Sequence, residues 1–385
     1  MKPEYKHGSL VNLMASFGQA MSYDAGKYAP ASLLSPQELE SYDNIVFLLI
    51  DGLGIHNLKQ YGENSTIIKH LRGELTSVFP STTSAAITTL ATGLAPMQHA
   101  NTGWFMYLRE LGTVTAILPF VPRCGGEKFS ARGIKVRDII DCQSIYQSLD
   151  RSSYIINRDF LVDSDFSLAV TEGAIRRGYE NLDGFYQSIV ESIHTSDEKK
   201  YIYAYWPDYD GLCHTYGVGH EKTAKHFQQI DSGFSSLLDT LKGSNSIVIL
   251  TADHGLIDTS QDKVVYLEDY PAIKDCLRLP LCGEPRACFC YLKSGFDSTF
   301  VSLVKEQLHH ICDLMSVSEL IEQNYFGLGE SHPELANRIG DYVLIAKENY
   351  VIKDKLLGEK DFSQVGVHGG LSEKEMLVPL VVATP

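Results

Sequence analysis

Short apolar segments that end on acidic, glycine or histidine residues constrain the fold of this chain more than any other feature. Residues 45–50, 201–206 and 247–252 are such segments, and each leads directly into a polar cluster. A fourth apolar segment, residues 377–383, follows shortly after His368. Continuous apolar runs of this length are typical of strands that are buried on both faces of a parallel sheet.

Helical patterns lie between the apolar segments. The clearest covers residues 222–242, where apolar side chains recur at helical spacing. Strands that alternate with helices predict an α/β fold, with a mostly parallel central sheet flanked by helices. We predict one domain over residues 1–385, with a small inserted cap at approximately residues 262–332, where three prolines interrupt the alternation.

The charge balance excludes two classes of partner. The chain has 33 basic and 48 acidic residues, which gives a net charge of −15. A chain this acidic repels nucleic-acid backbones and anionic membrane surfaces, so we expect neither as a partner. A small phosphorylated substrate remains compatible, because bound metal ions can reverse the local field.

The N-terminal segment, the apolar runs and the cysteine spacing predict the cellular compartment of the protein. The N-terminal segment lacks the basic and then apolar pattern of a secretion signal. The longest apolar run, at residues 45–50, is far shorter than the roughly 20 residues that a membrane span needs. The eight cysteines show no disulfide-scaffold spacing, so we expect reduced thiols and a cytoplasmic protein.

Six potential metal ligands follow the predicted strands or lie in glycine-rich loops. They are Asp51, Asp210, His214, Asp253, His254 and His368. Taken singly, each has an ordinary explanation, such as a helix cap or a strand-ending turn. Together they match two three-ligand metal sites with open positions, the arrangement that in-line displacement at phosphorus uses. The coincidence therefore favours a two-metal hydrolase.

A nucleophile is expected close to one of the metals. Residues 78–93 are rich in hydroxyl side chains and include a small-residue helical pattern after Thr83. A hydroxyl at a helix N-terminus lies where the backbone N–H groups favour an anion. Thr82, Thr83 and Ser84 are the candidates, and a plain helix cap is the alternative explanation for each.

The motifs together resemble one family. They are FLLIDGLG (47–54), FPSTTSAAITTLATGLAPMQHA (79–100), PDYDGLCHTYG (207–217), TADHG (251–255) and GVHGGLSEKEMLVPLVV (366–382). On these motifs the chain is similar to the type I phosphodiesterase/nucleotide pyrophosphatase family of the alkaline phosphatase superfamily. The resemblance implies two divalent ions, zinc with manganese as the alternative. It implies one zinc bound by Asp51, Asp253, His254 and the nucleophile, and the other by Asp210, His214 and His368.

The resemblance also selects among the hydroxyls. In phosphodiesterase-type members the nucleophile lies nine residues before the threonine of a Thr-Gly pair, which implies Thr83 here. The following small residues resemble the serine motif of alkaline phosphatases, which keeps Ser84 as the alternative. An asparagine that binds a phosphate oxygen in nucleotide pyrophosphatases is replaced by Trp104, with Asn101 and Thr102 nearby.

These observations predict an enzyme that hydrolyses phosphate esters or anhydrides. The primary hypothesis is a phosphodiesterase/nucleotide pyrophosphatase with a phospho-threonine intermediate on Thr83. A phosphomonoesterase or a phosphonate hydrolase of the same superfamily is the alternative. From another class, a non-catalytic module that binds a phosphorylated ligand remains open, but it predicts a broken ligand set.

Overall fold

The computed structural model describes residues 1–24 and 26–385. Its strands, in chain order, are β1 Asn44–Ile50, β2 Leu71–Thr76, β3 Phe105–Leu108, β4 Thr113–Ala116, β5 Val121–Pro122, β6 Ser152–Arg158, β7 Ile175–Tyr179, β8 Lys200–Trp206, β9 Ser246–Thr251, β10 Ile257–Asp258, β11 Val264–Tyr266, β12 Cys282–Glu284, β13 Ala287–Cys290, β14 Cys312–Ser316, β15 Tyr342–Ala346, β16 Val351–Lys353, β17 Gly366–Val367 and β18 Leu377–Ala383.

The α-helices, in chain order, are α1 Leu10–Ala20, α2 Pro36–Glu40, α3 Ile55–Tyr61, α4 Thr66–Lys69, α5 Thr83–Thr92, α6 Pro96–His99, α7 Asp159–Val162, α8 Asp165–Val170, α9 Leu182–Ile193, α10 Asp208–Tyr216, α11 Glu221–Thr240, α12 Pro271–Lys274, α13 Asp297–Gln307, α14 Val317–Glu322, α15 Leu335–Ile339 and α16 Glu373–Met376. In the part of the chain that the structure describes, none of them combines the length and the apolar character that crossing a membrane requires.

A seven-stranded sheet forms the centre of the protein, with the strand order β2-β18-β9-β1-β8-β6-β7. Strand β1 pairs in parallel with both β8 and β9, and every residue of these three strands is buried. Strand β18 runs antiparallel to both of its neighbours, β9 and β2. The predicted α/β fold with a mostly parallel central sheet is therefore confirmed.

Helices cover both faces of this sheet. Phe17 of α1 packs edge-on against Phe47 of β1, with the ring centroids 5.1 Å apart. Phe185 of α9 packs against Trp206 of β8, which pairs with Ile50 of β1. Phe47 and Ile50 are three positions apart in one strand, so they point to opposite faces. The apolar runs are continuous because neither face meets water.

A second seven-stranded sheet is entirely antiparallel, with the order β14-β15-β13-β12-β3-β4-β5. Strands β12 to β14 fall within residues 262–332, the segment predicted as a cap, while β3 to β5 and β15 come from elsewhere in the chain. The second sheet thus joins distant segments of the chain. Side chains of its β12–β13 hairpin, Glu284 and Arg286, contact residues near the carboxyl edge of the first sheet. The cap boundaries stay a prediction.

Candidate active site

The three central strands deliver acidic residues to one edge of the first sheet. Asp51 follows β1, Asp253 follows β9, and Asp210 lies in the first turn of α10, just beyond β8. Because these strands are neighbours and parallel, their carboxyl ends meet at the same edge. The backbone N–H of Gly52 donates to Asp253 Oδ1 over 3.1 Å, which ties the two strand ends together.

The three histidines reach the same place by different routes. His214 lies one helical turn after Asp210 in α10, and its Nε2 is 3.1 Å from Asp210 Oδ2. His254 follows β9, and His368 follows the short strand β17. The rings of His254 and His368 stack with centroids 3.7 Å apart.

All six predicted ligands are thereby brought together. The donor atoms of Asp51, Asp253 and His254 lie within 4.8 Å of one another, and so do those of Asp210, His254 and His368. His254 belongs to both groups, so the two clusters adjoin. The structure places the residues as close neighbours, while their assignment to individual ions remains a prediction.

Each histidine ring has the orientation of a metal ligand. The Nδ1 atoms of His214, His254 and His368 face backbone carbonyls at 2.7, 3.1 and 3.1 Å, respectively. A carbonyl only accepts hydrogen bonds, so each Nδ1 carries the proton and donates. In the neutral form of each ring the lone pair is then on Nε2, the nitrogen left for the cluster.

Three buried carboxylate oxygens have no hydrogen-bond partner among the described residues. They are Asp51 Oδ1, Asp210 Oδ1 and Asp253 Oδ2, one from each aspartate of the cluster. A buried carboxylate oxygen without a partner is strongly unfavourable unless a cation compensates it. Asp and His ligands with free donor atoms suit divalent zinc or manganese, so the residues present fit the predicted metals.

Burial shifts the titration of the aspartates. It raises the pKa of Asp51 well above its usual range, and the charges of Asp253 and Asp210 raise that pKa further. Burial also raises the pKa of Asp253 to about 6. Asp210 differs, because His214 and the other histidines outweigh burial and hold its pKa below the usual value. The cluster therefore disfavours three ionised carboxylates unless positive charge is added.

The histidines titrate according to their neighbours. Burial lowers the pKa of His254 to about 4 and that of His368 to about 3, so both rings are neutral at pH 7. Burial also opposes protonation of His214, but the adjoining Asp210 raises its pKa to about 9. Neutral His254 and His368 are ready to bind a metal without losing a proton first.

Of the competing hydroxyls, that of Thr83 faces the cluster. Thr83 is the first residue of α5, and its Oγ1 lies 3.2 Å from His254 Nε2. The Oγ of Ser84 is buried and has no hydrogen-bond partner among the described residues. Thr82 precedes the helix and donates its hydroxyl to Glu284 Oε1 over 2.6 Å. The helix N-terminus therefore presents Thr83 to the cluster.

A cavity of about 440 Å³ opens beside Thr83. Its lining combines ligands of the cluster with residues of the second sheet and of the segment after β16: Thr82, Thr83, Trp104, Phe105, Asp210, His214, Glu284, Pro285, Lys353, Gln364, Val367 and His368. A volume of this size suits a small molecule. The substrate side of the candidate site is thus built largely by residues outside the central sheet.

The expected phosphate-binding asparagine has no counterpart in the cavity wall. Asn101 is fully buried, and its side-chain amide donates to Ser84 O and to Thr88 Oγ1. Trp104, at the position of the family's asparagine, is 39% exposed and lines the cavity. An aromatic surface therefore replaces an amide donor.

Several residues that contact the cluster carried no recognisable sequence signal. Tyr205 donates its hydroxyl to Asp51 Oδ2, and Ser77 donates to the carbonyl of Asp253. Glu284 accepts from Thr82 and from the Trp104 N–H at 2.7 Å, and burial raises its pKa to about 7. Glu284 was detectable only as a carboxylate in an otherwise apolar, cysteine-rich segment, and Tyr205 resembled any other buried strand residue.

A buried ion pair connects the second sheet to the two ligand loops. Arg286, in the turn between β12 and β13, donates from Nε and Nη2 to Glu375 at 3.1 and 2.9 Å. The Oε1 atom of Glu375 accepts a hydrogen bond from the N–H of Gly370 over 2.8 Å. The backbone carbonyl of Glu375 accepts one from the N–H of Gly255, also over 2.8 Å. Gly255 directly follows His254, and Gly370 lies two residues after His368. The Arg286–Glu375 ion pair therefore links the loops that carry these two histidines to the β12–β13 hairpin.

Loss of this arginine is expected to cost stability. In Arg286→Met the Glu375 carboxylate stays buried without its counter-charge, so we expect the free energy of unfolding to fall by about 3–5 kcal/mol. Urea denaturation followed by circular dichroism measures the change. Arg109→Met is the control, because Arg109 forms an exposed ion pair with Glu334 and its loss should cost less than about 1 kcal/mol. Equal effects of the two substitutions would contradict the prediction.

Comparison with known proteins relates the chain to one family. The family model described as type I phosphodiesterase/nucleotide pyrophosphatase matches residues 45–371. Ectonucleotide pyrophosphatase/phosphodiesterase family member 3 of Rattus norvegicus is 26% identical over 270 residues, which are 63% of this chain and 28% of that protein. The Mus musculus protein of the same name is 26% identical over 226 residues, 56% of this chain and 24% of that protein. The chain thus matches only a minor part of the length of these relatives.

Solved structures share the fold. Murine ectonucleotide pyrophosphatase/phosphodiesterase 5 superposes with a TM-score of 0.67 at 18% identity, over 89% of this chain and 88% of that one. An inactive variant of it in complex with AMP gives a TM-score of 0.65 at 17% identity, with 87% of each chain covered. Phosphonoacetate hydrolase from Sinorhizobium meliloti, in complex with phosphonoacetate, gives 0.64 at 17% identity, over 88% of this chain and 89% of that one.

Proposed function

Because the chain belongs to the type I phosphodiesterase/nucleotide pyrophosphatase family, we propose that it is a two-metal hydrolase of phosphate esters or anhydrides, with diesters and nucleotide-type pyrophosphates as preferred substrates. The observation that carries the proposal is the convergence of six candidate metal ligands, with one unpartnered oxygen on each aspartate, close to the hydroxyl of Thr83 beside a cavity. The proposed metals are two zinc ions, with manganese as the alternative.

Each group of the site has its own role in the proposed reaction. Thr83 Oγ1 gives up its proton and attacks phosphorus in line, the P–O bond to the leaving group breaks, and the leaving group departs with a proton. Water then attacks the phospho-threonine, which breaks the bond between Thr83 Oγ1 and phosphorus, releases the phosphoryl group and restores the hydroxyl. The N-terminus of α5 directs backbone N–H groups toward the negative charge that develops around Thr83. Divalent ions, when bound, neutralise phosphoryl oxygens and lower the pKa of coordinated hydroxyl and water. The proposed ligands for one ion are Asp51, Asp253, His254 and Thr83, and those for the other are Asp210, His214 and His368.

Other groups keep these residues in place. The backbone carbonyls of Gly255, Gly366 and Ser81 fix the histidine tautomers. The Tyr205 hydroxyl occupies Asp51 Oδ2 and leaves Oδ1 without a partner. Orienting contacts of this kind are needed because a small misplacement of a catalytic group lowers the rate strongly.

A monoesterase or phosphonate hydrolase is the second candidate. Trp104 stands where nucleotide pyrophosphatases have an asparagine, and Asn101 is turned into the core. Fold relatives have been solved with AMP, a nucleotide, and with phosphonoacetate, a phosphonate. The substrate therefore has to be identified by comparison of rates.

A substrate panel tests the proposal. The zinc-loaded protein is assayed with bis(p-nitrophenyl) phosphate, p-nitrophenyl thymidine 5′-monophosphate, p-nitrophenyl phosphate and p-nitrophenyl phenylphosphonate. We expect kcat/KM for the better diester to exceed that for the monoester by at least about tenfold. A higher value for the monoester or the phosphonate would support the second candidate instead.

A zinc determination separates the enzyme from a non-catalytic binding module. About two metal ions per chain after zinc loading and desalting agree with a two-metal site. A chain that binds no zinc and hydrolyses none of the four substrates would refute the hydrolase.

A further inference from the structure

One lysine lines the cavity without a counter-charge. Lys353 is the last residue of β16 and the single lysine or arginine among the residues that form the wall. Its side chain is half-buried, with Nζ 5.0 Å from the centre of the Phe362 ring. In residues 1–24 and 26–385, no carboxylate lies close enough to Lys353 to form an ion pair.

The acidic residues nearest to Lys353 in sequence are bound elsewhere. Arg123 donates from Nη2 to Asp354 Oδ1 at 2.7 Å and from Nε to Glu359 Oε1 at 2.8 Å. Asp354 also accepts from the N–H of Leu281 at 2.8 Å. Burial lowers the pKa of Lys353, and the positive charge of Arg123 lowers it further. The ammonium group is thus held at the cavity without a protein anion of its own.

Glu284 and Lys353 are not within ion-pair distance among the described residues; burial raises the pKa of Glu284, and the charge of Lys353 opposes that rise. The carboxyl of Glu284 also lines the cavity, but its Oε1 accepts from Thr82 and from the Trp104 N–H. The cavity wall also includes the apolar side chains of Phe105 and Pro285. A ligand in the cavity therefore meets metal ligands, an apolar surface and a single lysine ammonium.

We propose that Lys353 binds a second anionic group, a carboxylate or a phosphate, on the leaving group of the substrate. The inference rests on the proposed function, which places the reacting phosphoryl group at Thr83. Lys353 belongs to neither ligand group of the cluster, so it is available for a part of the substrate away from phosphorus. A charge-assisted hydrogen bond in a partly buried cavity is stronger than one at the surface and gives specificity for an anion.

Matched phosphonates test this assignment by isothermal titration calorimetry with the zinc-loaded full chain. The carboxylate arm compares 3-phosphonopropionate with propylphosphonate, and the phosphate arm compares ethylene-1,2-diphosphonate with ethylphosphonate. In each pair, only the first compound carries a second anionic group. We expect at least one of these two compounds to bind about tenfold or more tightly than its partner without that group. The arm with the larger ratio identifies the second anion.

Substitutions show whether Lys353 causes the preference. Lys353→Met should reduce the ratio to near one, while Lys353→Arg should keep most of it because the charge remains. Lys355→Met is the control, since Lys355 lies two residues further on, is exposed and pairs with Asp361 outside the cavity wall. The ratio should be unchanged in that variant.

The outcomes are distinguishable. A ratio near one for both arms in the wild type, or an unchanged ratio in Lys353→Met, overturns the role of Lys353 but leaves the hydrolase intact. Failure of all four phosphonates to bind to the zinc-loaded wild type counts against the phosphoester site itself, and with it the inference. Circular dichroism of Lys353→Met shows whether the variant is folded, and Lys353→Arg provides the second test if it is not.

Discussion

Replacing Thr83 by alanine is expected to lower kcat/KM for the preferred phosphoester by roughly 10⁴-fold or more, because the attacking oxygen is lost while the metal ligands remain. Zinc content should stay close to that of the wild type, since the proposed Asp and His ligands are untouched. Initial rates at saturating zinc, together with metal analysis of the same samples, measure both quantities. Thr83→Ser should recover part of the activity by restoring a hydroxyl at the same position.

Ser84→Ala is the matched control for the nucleophile. The Ser84 hydroxyl is buried and has no partner among the described residues, so its removal should change kcat/KM by less than about threefold. Acid quenching during turnover, followed by mass spectrometry of peptides, should locate a phosphoryl group on Thr83. An active Thr83→Ala variant together with an inactive Ser84→Ala variant would move the nucleophile to Ser84.

Removal of metal from the wild type should abolish turnover and destabilise the protein. Two buried carboxylates, Asp51 and Asp253, lie close to the largely buried Asp210, and two divalent ions would add four positive charges against these three negative ones. Binding to the folded state alone stabilises by about 4 kcal/mol at a free metal concentration 1,000 times Kd. Denaturation curves with chelator and with added zinc measure this difference, and readdition of zinc should restore activity.

The substitution Asp253→Asn should reproduce part of the effect of metal removal. Asparagine keeps the shape of the side chain but removes a ligand charge, so we expect less than the wild-type zinc content and a decrease in kcat/KM of at least about 10³-fold. Asp239→Asn is the control, because Asp239 is exposed and pairs with Lys242 on the surface of α11. Full activity of Asp253→Asn with normal zinc content would remove Asp253 from the proposed ligand set.

The family and the central sheet were predictable from the sequence. The family that the motifs predicted is confirmed by the match over residues 45–371. The apolar runs at 45–50, 201–206 and 247–252 all form adjacent buried strands. Both predictions depend on local sequence. Buried parallel strands are recognisable as continuous apolar runs, and the polar residues of the family motifs follow these strands immediately in the chain.

The second sheet was not predictable in the same way. Strand β12 pairs with β3, so that Gly283 is opposite Phe105, although the two residues are 178 positions apart in the chain. Strand pairing between distant segments depends on side-chain packing that a single sequence does not display. The part of the cavity wall formed by Trp104 and Glu284 depends on that pairing, while Lys353 is placed by the separate pairing of β16 with β11.

The sequence by itself indicated six candidate ligands and the edge of a parallel sheet at which they lie, because both follow from residues adjacent to strands. Only the tertiary structure decided which hydroxyl faces them. Thr83 and Ser84 are neighbours in α5, where successive residues point about 100° apart, so composition and spacing hardly separate them. The Arg286–Glu375 pair and the unpaired Lys353 ammonium likewise arise from contacts between segments far apart in the chain, which only folding brings together.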